Sequence, residues 1–341
     1  MRQDFAEYVT AHIRDYLPQD YREAKITLEK VTKGNDRTLT GLTILKDGEH
    51  ITPTIYLEPY AMQNENGRPM DDILREIAAV KMENSRSMPF DVEKLKDYET
   101  VRPLLSIRLC DPERNREYLK DKPYTMCGEL AAAYRIQVMK NDEGIASAVI
   151  TNHMLELWKI TPEELYRDAV TAENERSPVC LYTMNDVMEQ MMLSTEPDNL
   201  FNRSEPLETD PAPMYVLTNQ SKTDGAGVIA RDGVLDKIGE LIGSDFYILP
   251  SSIHELLIIP DDGQTQVKEL ENMVQEVNAT QVAPEDLLSD KVQHYDRTAK
   301  SLGRKQEKGL LGRLAENKAQ IKAQAEKTAT VKTAAKQEPS L

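Results

Sequence analysis

The stretch DFYILPSSIHELLIIPDD, Asp245 to Asp262, holds Ser251, Ser252, His254 and Glu255 within five positions. Hydroxyl, imidazole and carboxylate are the groups of nucleophilic hydrolysis, in which a base takes the hydroxyl proton and a carboxylate orients the base. The spacing argues against that chemistry here. Strands are predicted over 245–249 and 254–259, and in a strand alternate side chains share a face. His254 is then expected to point with Leu256 and Ile258, and Glu255 with Ile253, Leu257 and Ile259, so the two face opposite ways. Pro250 and the two serines suit a tight connection whose hydroxyls serve the backbone. The Gly-x-Ser-x-Gly elbow of a strained nucleophile is absent. A hairpin is the favoured reading, and no catalytic residue is assigned.

A second candidate is the loop Asn219-Gln220-Ser221-Lys222-Thr223-Asp224-Gly225, between a predicted strand at 214–218 and a helix. Such a loop can present N–H groups to an anion, with Lys222 adding charge. It lacks the glycine spacing of a P-loop or of a dinucleotide fingerprint, so capping of the loop by Asn219 and Asp224 is the favoured reading. Asn219, Lys222, Asp224, Ser251, Ser252, His254 and Glu255 are the candidate ligand contacts. A rival reading makes the chain a hydrolase or nucleotide-handling enzyme in which Lys222, Asp224, Ser251, Ser252 and His254 converge. His12, His50, His153, His254 and His294 are never four apart, and Cys110, Cys127 and Cys180 are widely separated, so neither metal nor cofactor is expected. Met184, Met188, Met191 and Met192 recur at helical spacing, which suits core filling, with an adaptable binding groove as the alternative.

These residues must be positioned by the elements around them. Phe5, Val9, Ile13 and Tyr16 predict an amphipathic helix over 3–17. Residues 24–32, 38–46 and 50–58 predict a three-stranded meander turning at Gly34-Asn35-Asp36 and Asp47-Gly48, with Pro53 placing the third strand at an edge. A helix after Pro69 completes an N-terminal α-β-β-β-α lobe over 1–100. A mixed middle segment spans 101–193, with extended residues at 101–110, two strands over 133–150, and a capping box at Thr161 and Glu164. Residues 194–213 hold four prolines and suit a surface connection. A C-terminal β-α-β-β-α lobe is expected over 214–296 and a flexible basic tail over 297–341. The fold class is α+β.

Charge separates these regions. The chain carries 42 Lys+Arg against 58 Asp+Glu, net −16. Residues 297–341 hold eleven basic and four acidic side chains, which leaves net −23 for residues 1–296. The acidic body should repel nucleic acid, and any polyanion binding falls to the tail, where Lys300, Arg304 and Lys308 would form a stripe if helical. Three scattered cysteines fit a reducing compartment, and acids at positions 4, 7 and 15 do not suit a leader segment. With no apolar run long enough to span a membrane, a cytoplasmic address is expected.

The runs MYVLTNQSK (214–222), Gly225-Ala226, SDFYILPSSIHE (244–255) and IPD (259–261) resemble an uncharacterised family of bacterial proteins, common in gut Firmicutes and often carried on mobile elements. ITN (150–152), LELW (155–158) and TPEE (161–164) extend the likeness to about residues 1–290. The resemblance implies a domain without assigned activity, so no catalytic residue is carried over. The expected function is a non-enzymatic binding or adaptor protein of a mobile element, with an unknown protein partner and no membrane association.

Overall fold

Phe5, Val9 and Ile13 lie on one side of helix α1 (Gln3–His12) and the 3-10 turn that continues it, and all three are buried. They pack over a hairpin of β1 (Lys25–Thr32) and β2 (Thr38–Leu45), whose register runs from Lys25 opposite Leu45 to Thr32 opposite Thr38. Its turn places Asn35 and Asp36 at φ 60 and φ 47, the left-handed region that short polar side chains tolerate. The third strand, β3 (Ile55–Tyr56), lies at the sheet edge just after Pro53. It is shorter than the expected 50–58: residues 50 and 51 lie outside the described ones, 52–54 do not join the ladder, and helix α2 (Glu58–Glu65) takes over at Glu58, with Pro59 in its first turn, where a missing N–H does no harm. Helix α3 (Met70–Ser87) closes this core with Ile73, Leu74 and Ile77.

The computed structural model describes residues 3–47, 52–87, 92–141, 144–193, 196–207 and 214–305; His50, Lys308 and most of the expected tail lie outside them. After the short helix α4 (Tyr98–Val101) comes a second sheet, of β4 (Leu105–Cys110), β5 (Tyr124–Cys127), β6 (Leu130–Asn141) and β7 (Gly144–Val149), with helix α5 (Arg116–Leu119) between β4 and β5. The long β6 pairs with β4 on one side and with β5 and β7 on the other. Helices α6 (Asn152–Trp158) and α7 (Pro162–Arg176) follow. Both halves of the capping box form: Glu164 N–H donates to Thr161 Oγ1 at 3.2 Å, and Thr161 N–H to Glu164 Oε2 at 2.9 Å.

The third sheet contains the expected β-α-β-β-α run as β9 (Tyr215–Asn219), α9 (Val234–Ile242), β10 (Phe246–Leu249), β11 (Leu256–Pro260) and α10 (Val267–Thr280), once β8 (Val179–Thr183) and helix α8 (Met184–Leu193) have been passed. With β12 (Gln293–Asp296) and β13 (Ser301–Gly303) the order is β13-β12-β10-β11-β9-β8, antiparallel throughout. The flanking strands β8, β12 and β13 are not legible as strands in the sequence. Ser301–Gly303 corrects the expected start of the tail, because these residues pair with β12. Lys300 lies in the turn at φ 50 and donates to Asp236 Oδ2 at 3.2 Å, while Arg297 donates to the Gly243 carbonyl at 2.9 Å. Lys300 therefore belongs to the body and to no helical stripe.

Helix α8 also departs from expectation. None of its residues is buried, and Met191 and Met192 are 82% and 78% exposed. It follows the edge strand β8, and among the described residues none of its side chains enters a core, so the core-filling reading fails. Among the described residues no helix is long and apolar enough to cross a membrane.

The main core joins the second and third sheets. Leu105, Ile107, Leu109, Tyr134 and Ile136 meet Tyr215, Leu217, Phe246, Ile248, Leu256 and Ile258, with α7 and α9 closing the sides. The opposite face of the third sheet buries Tyr247 and Leu249 under Leu270 and Val274 of α10. A 3-10 segment, Gly225–Ala230, passes through the main core with every residue buried. A Cβ on Gly227 would lie 2.8 Å from the Ile107 carbonyl oxygen, and one on Gly225 2.3 Å from the His254 carbonyl oxygen.

This packing has consequences for stability. Gly227→Ala forces a methyl against backbone that cannot swing aside, and denaturant unfolding should show a loss of about 1–3 kcal/mol. Cys110 and Cys127 are free thiols pushed up to about 12 by burial. Because their folded value is raised, the unfolded chain loses these protons first, and stability should fall between about pH 9 and about pH 12, less steeply in Cys127→Ala.

Candidate functional site

Alternation in β4 and β6 sorts side chains onto two faces. Leu105, Ile107, Leu109, Tyr134 and Ile136 face the main core, while Ser106, Arg108, Arg135 and Gln137 share the other face, with Ser106 directly opposite Arg135. Ser147 of β7, opposite Gln137, extends that polar face. The loop before the buried 3-10 segment and the turn before β11 close over it. Together Ser106, Arg108, Arg135, Gln137 and Ser147 with Thr223, Asp224, Ile253, His254 and Asp286 line a pocket of about 150 Å³.

Two guanidinium groups therefore share one small space. Arg108 Nε lies 3.5 Å from Asp224 Oδ1, and Arg135 Nη1 lies 4.0 Å from Asp224 Oδ2. Burial, then the neighbouring Arg108 charge, holds the Arg135 guanidinium below its ordinary value, with Asp224 opposing. Arg135 Nε is buried with no acceptor among the described residues. Arg108 Nη2 also donates to the Glu285 carbonyl at 3.2 Å, yet with the Asp224 carboxylate at 3.5–4.0 Å the two guanidiniums keep donors that a further acceptor could meet.

His254 is held at both ring nitrogens. Its Nδ1 accepts from Asp224 N–H at 3.2 Å, which places the ring proton on Nε2, 3.2 Å from Asp286 Oδ1. In this tautomer no ring nitrogen is left to take a proton from a hydroxyl. Ser252 meets His254 through the backbone, with the His254 N–H donating to Ser252 Oγ at 3.0 Å.

Of the residues singled out in the sequence, only Asp224 and His254 meet in this pocket. Ser251 and Ser252 are buried, and their stretch is stitched to 287–289: Leu288 N–H donates to the Ser251 carbonyl at 3.1 Å, and Ser252 bridges Leu287. Lys222 points away and donates to Gln190 of α8 at 2.9 Å. Asn219 closes its own loop, its Nδ2 donating to the Thr223 carbonyl at 3.0 Å and its Oδ1 accepting from Ser221. Asp224 makes no side-chain cap and turns instead to the arginines. The alternation argument places His254 and Glu255 in a strand; both precede β11, so their relative direction is set by the turn. Arg108, Arg135 and Asp286 are absent from the candidates that the sequence supplies. The polar positions in SIRLC and YRIQ carry a usable signal for the arginines, since a polar sheet face beside an apolar one must be covered by water, partner or ligand.

The buried 3-10 segment ends on a second buried charge. Arg231 donates to Glu173 Oε2 at 2.6 Å and to the Ser177 carbonyl at 2.8 Å, with side-chain exposures of 1% for Arg231 and 6% for Glu173. Burial raises the Glu173 carboxyl and lowers the Arg231 guanidinium from their ordinary values, and their mutual attraction opposes both shifts. This pair anchors α7 to the segment that carries Asp224.

A family model described as a family of unknown function (DUF5688) matches residues 2–297, and the chain belongs to that family. No curated protein and no solved structure matches it.

Removing one partner of a buried ion pair strands the other charge. Glu173→Ala should lower the unfolding free energy by about 3–5 kcal/mol, measured by denaturant titration, and should cost far more than the exposed Glu99→Ala control.

Proposed function

We propose that this member of a family without assigned activity is a non-enzymatic binding protein whose pocket takes the anionic group, carboxylate or phosphate, of a small molecule. The observation that carries the reading is the pairing of Arg108 and Arg135 over one carboxylate, with Arg135 Nε lacking an acceptor among the described residues. A bound oxyanion would accept from both guanidiniums and offset the burial of Arg135, as charge-assisted bonds in a half-enclosed site do. The polar rim of Ser106, Gln137, Ser147 and Thr223 offers neutral hydrogen-bonding groups for the rest of such a ligand.

Binding without turnover fits the state of His254. Both its nitrogens are engaged, and neither Ser251 nor Ser252 lines the pocket. The adaptor side of the proposal draws support from α8, whose exposed Met188, Met191, Met192 and Leu193 offer a flexible apolar contact for a protein partner. The cytoplasmic, mobile-element setting is part of the same proposal; three free thiols support a reducing compartment.

Inorganic phosphate and succinate, added to the full chain at matched ionic strength, should raise its melting temperature. Ligand at about 100 times Kd stabilises by about 2.7 kcal/mol. Arg108→Gln should abolish the rise while leaving the ligand-free melt within a few degrees. The proposal is lost if neither anion shifts the melt, or if the variant responds as fully as the unmodified chain.

A further inference from the structure

Another set of titratable side chains gathers at the opposite end of β11 from the anion pocket. Asp245 immediately precedes β10, Asp261 immediately follows β11, and His294 lies on β12. The register sets Phe246 opposite Pro260 and Tyr247 opposite His294, so Asp245 and Asp261 are neighbours across one strand pair and His294 lies diagonally across the other. Asp261 N–H donates to the Asp245 carbonyl at 2.8 Å, which locks the two strand ends together. All three side chains fall on the sheet face that carries Tyr247 and α10, by the same alternation that places Phe246 in the main core.

One imidazole nitrogen and one oxygen from each carboxylate lie within 4.8 Å of one another. His294 Nε2 is 2.9 Å from Asp261 Oδ2, and these side chains are 10% and 8% exposed. The surrounding groups hold the set in place. Gly263 N–H donates to Asp261 Oδ1 at 2.9 Å, Tyr247 O–H donates to the same oxygen at 3.3 Å, and the Tyr247 ring stands edge-on to the imidazole at 5.1 Å. Asp245 accepts from the Arg297 backbone N–H at 3.0 Å. Two carboxylates are thus brought together on adjacent strands, beside a ligand-capable nitrogen.

We propose that Asp245, Asp261 and His294 form a binding site for one divalent transition-metal ion. Imidazole nitrogen with two carboxylates is a donor set of borderline hardness, suited to Zn2+ or Mn2+; Ca2+ and Mg2+ take oxygen ligands and Cu(I) takes sulfur. Coordination replaces the Nε2–H···Oδ2 hydrogen bond: the ring proton moves to Nδ1, and Nε2 and both carboxylates turn their lone pairs to the ion. Tyr247 and Gly263 then act on Asp261 as outer groups that fix a ligand's direction. The bound ion ties the ends of β10, β11 and β12 to one another, so it acts as a clamp on the sheet and stands apart from the anion pocket.

The full chain, stripped with a chelator, is titrated with Zn2+ and with Mn2+ by calorimetry and followed by thermal melting. One ion per chain and a raised melting temperature are expected. Asp245→Asn keeps an oxygen for the Arg297 N–H, so the metal-free fold should persist while affinity drops by at least about tenfold. In the unmodified chain, Mn2+ should broaden the ring resonances of His294 before those of the exposed His153, which lies beside Glu156. Absence of saturable binding, equal affinity in Asp245→Asn, or broadening at His153 first would each overturn the assignment.

Discussion

The path of Gly225–Ala230 through the main core leaves no room for a side chain at two of its positions, and both ends of the protein's polar chemistry hang from that passage. Gly225 lies against Thr218 and the His254 carbonyl, and Gly227 against the Ile107 carbonyl. Close approach of backbone to backbone is what only glycine permits. Because the segment threads between the second and third sheets at this distance, the residue before it, Asp224, emerges over the polar face of β4 and β6. The residue after it, Arg231, is delivered into the interior, where Glu173 meets it. A shift of either sheet would disturb both contacts.

The second sheet shows how one strand pair serves stability and binding together. Its inner face contributes Ile107, Leu109, Tyr134 and Ile136 to the largest core, and its outer face gathers Arg108 and Arg135 under the loop from β9. Placing two guanidiniums in a half-enclosed space is unfavourable unless they are compensated, and Asp224 compensates in part. What keeps that arrangement is the surrounding covalent and hydrogen-bonded frame. His254 clamps the Asp224 amide from one side while Asp286 holds His254 from the other.

The same frame reaches the N-terminal lobe. The β1–β2 turn inserts Asn35 and Asp36 against the body: Asn35 bonds Asn115 and the Leu287 carbonyl, and Asp36 accepts from the N–H groups of Glu117 and Tyr118 at the start of α5. Behind it Ser289 donates to the buried Asp111 at 2.7 Å. Residues from all three sheets' surroundings thus meet in one polar network, which favours a single mode of docking, since any displacement leaves buried polar groups unpaired.

Local signals are enough for much of this chain. The α+β order, the turn at Gly34-Asn35-Asp36, the capping box of α7 and the strand-helix-strand-strand-helix run after Met214 are legible because each depends on neighbours a few residues away. So is the absence of a nucleophile elbow. Tertiary contacts alone decided the rest. They set Arg108, Arg135, Asp224, His254 and Asp286 in one pocket, left Lys222 and Ser251 outside it, brought Asp245, Asp261 and His294 together, exposed Met188, Met191 and Met192 of α8, and recruited Ser301–Gly303 into the third sheet. The physical reason is that strand register and sheet order carry residues far apart in the chain to within a few ångströms of one another, and neither is written in the period of any single segment.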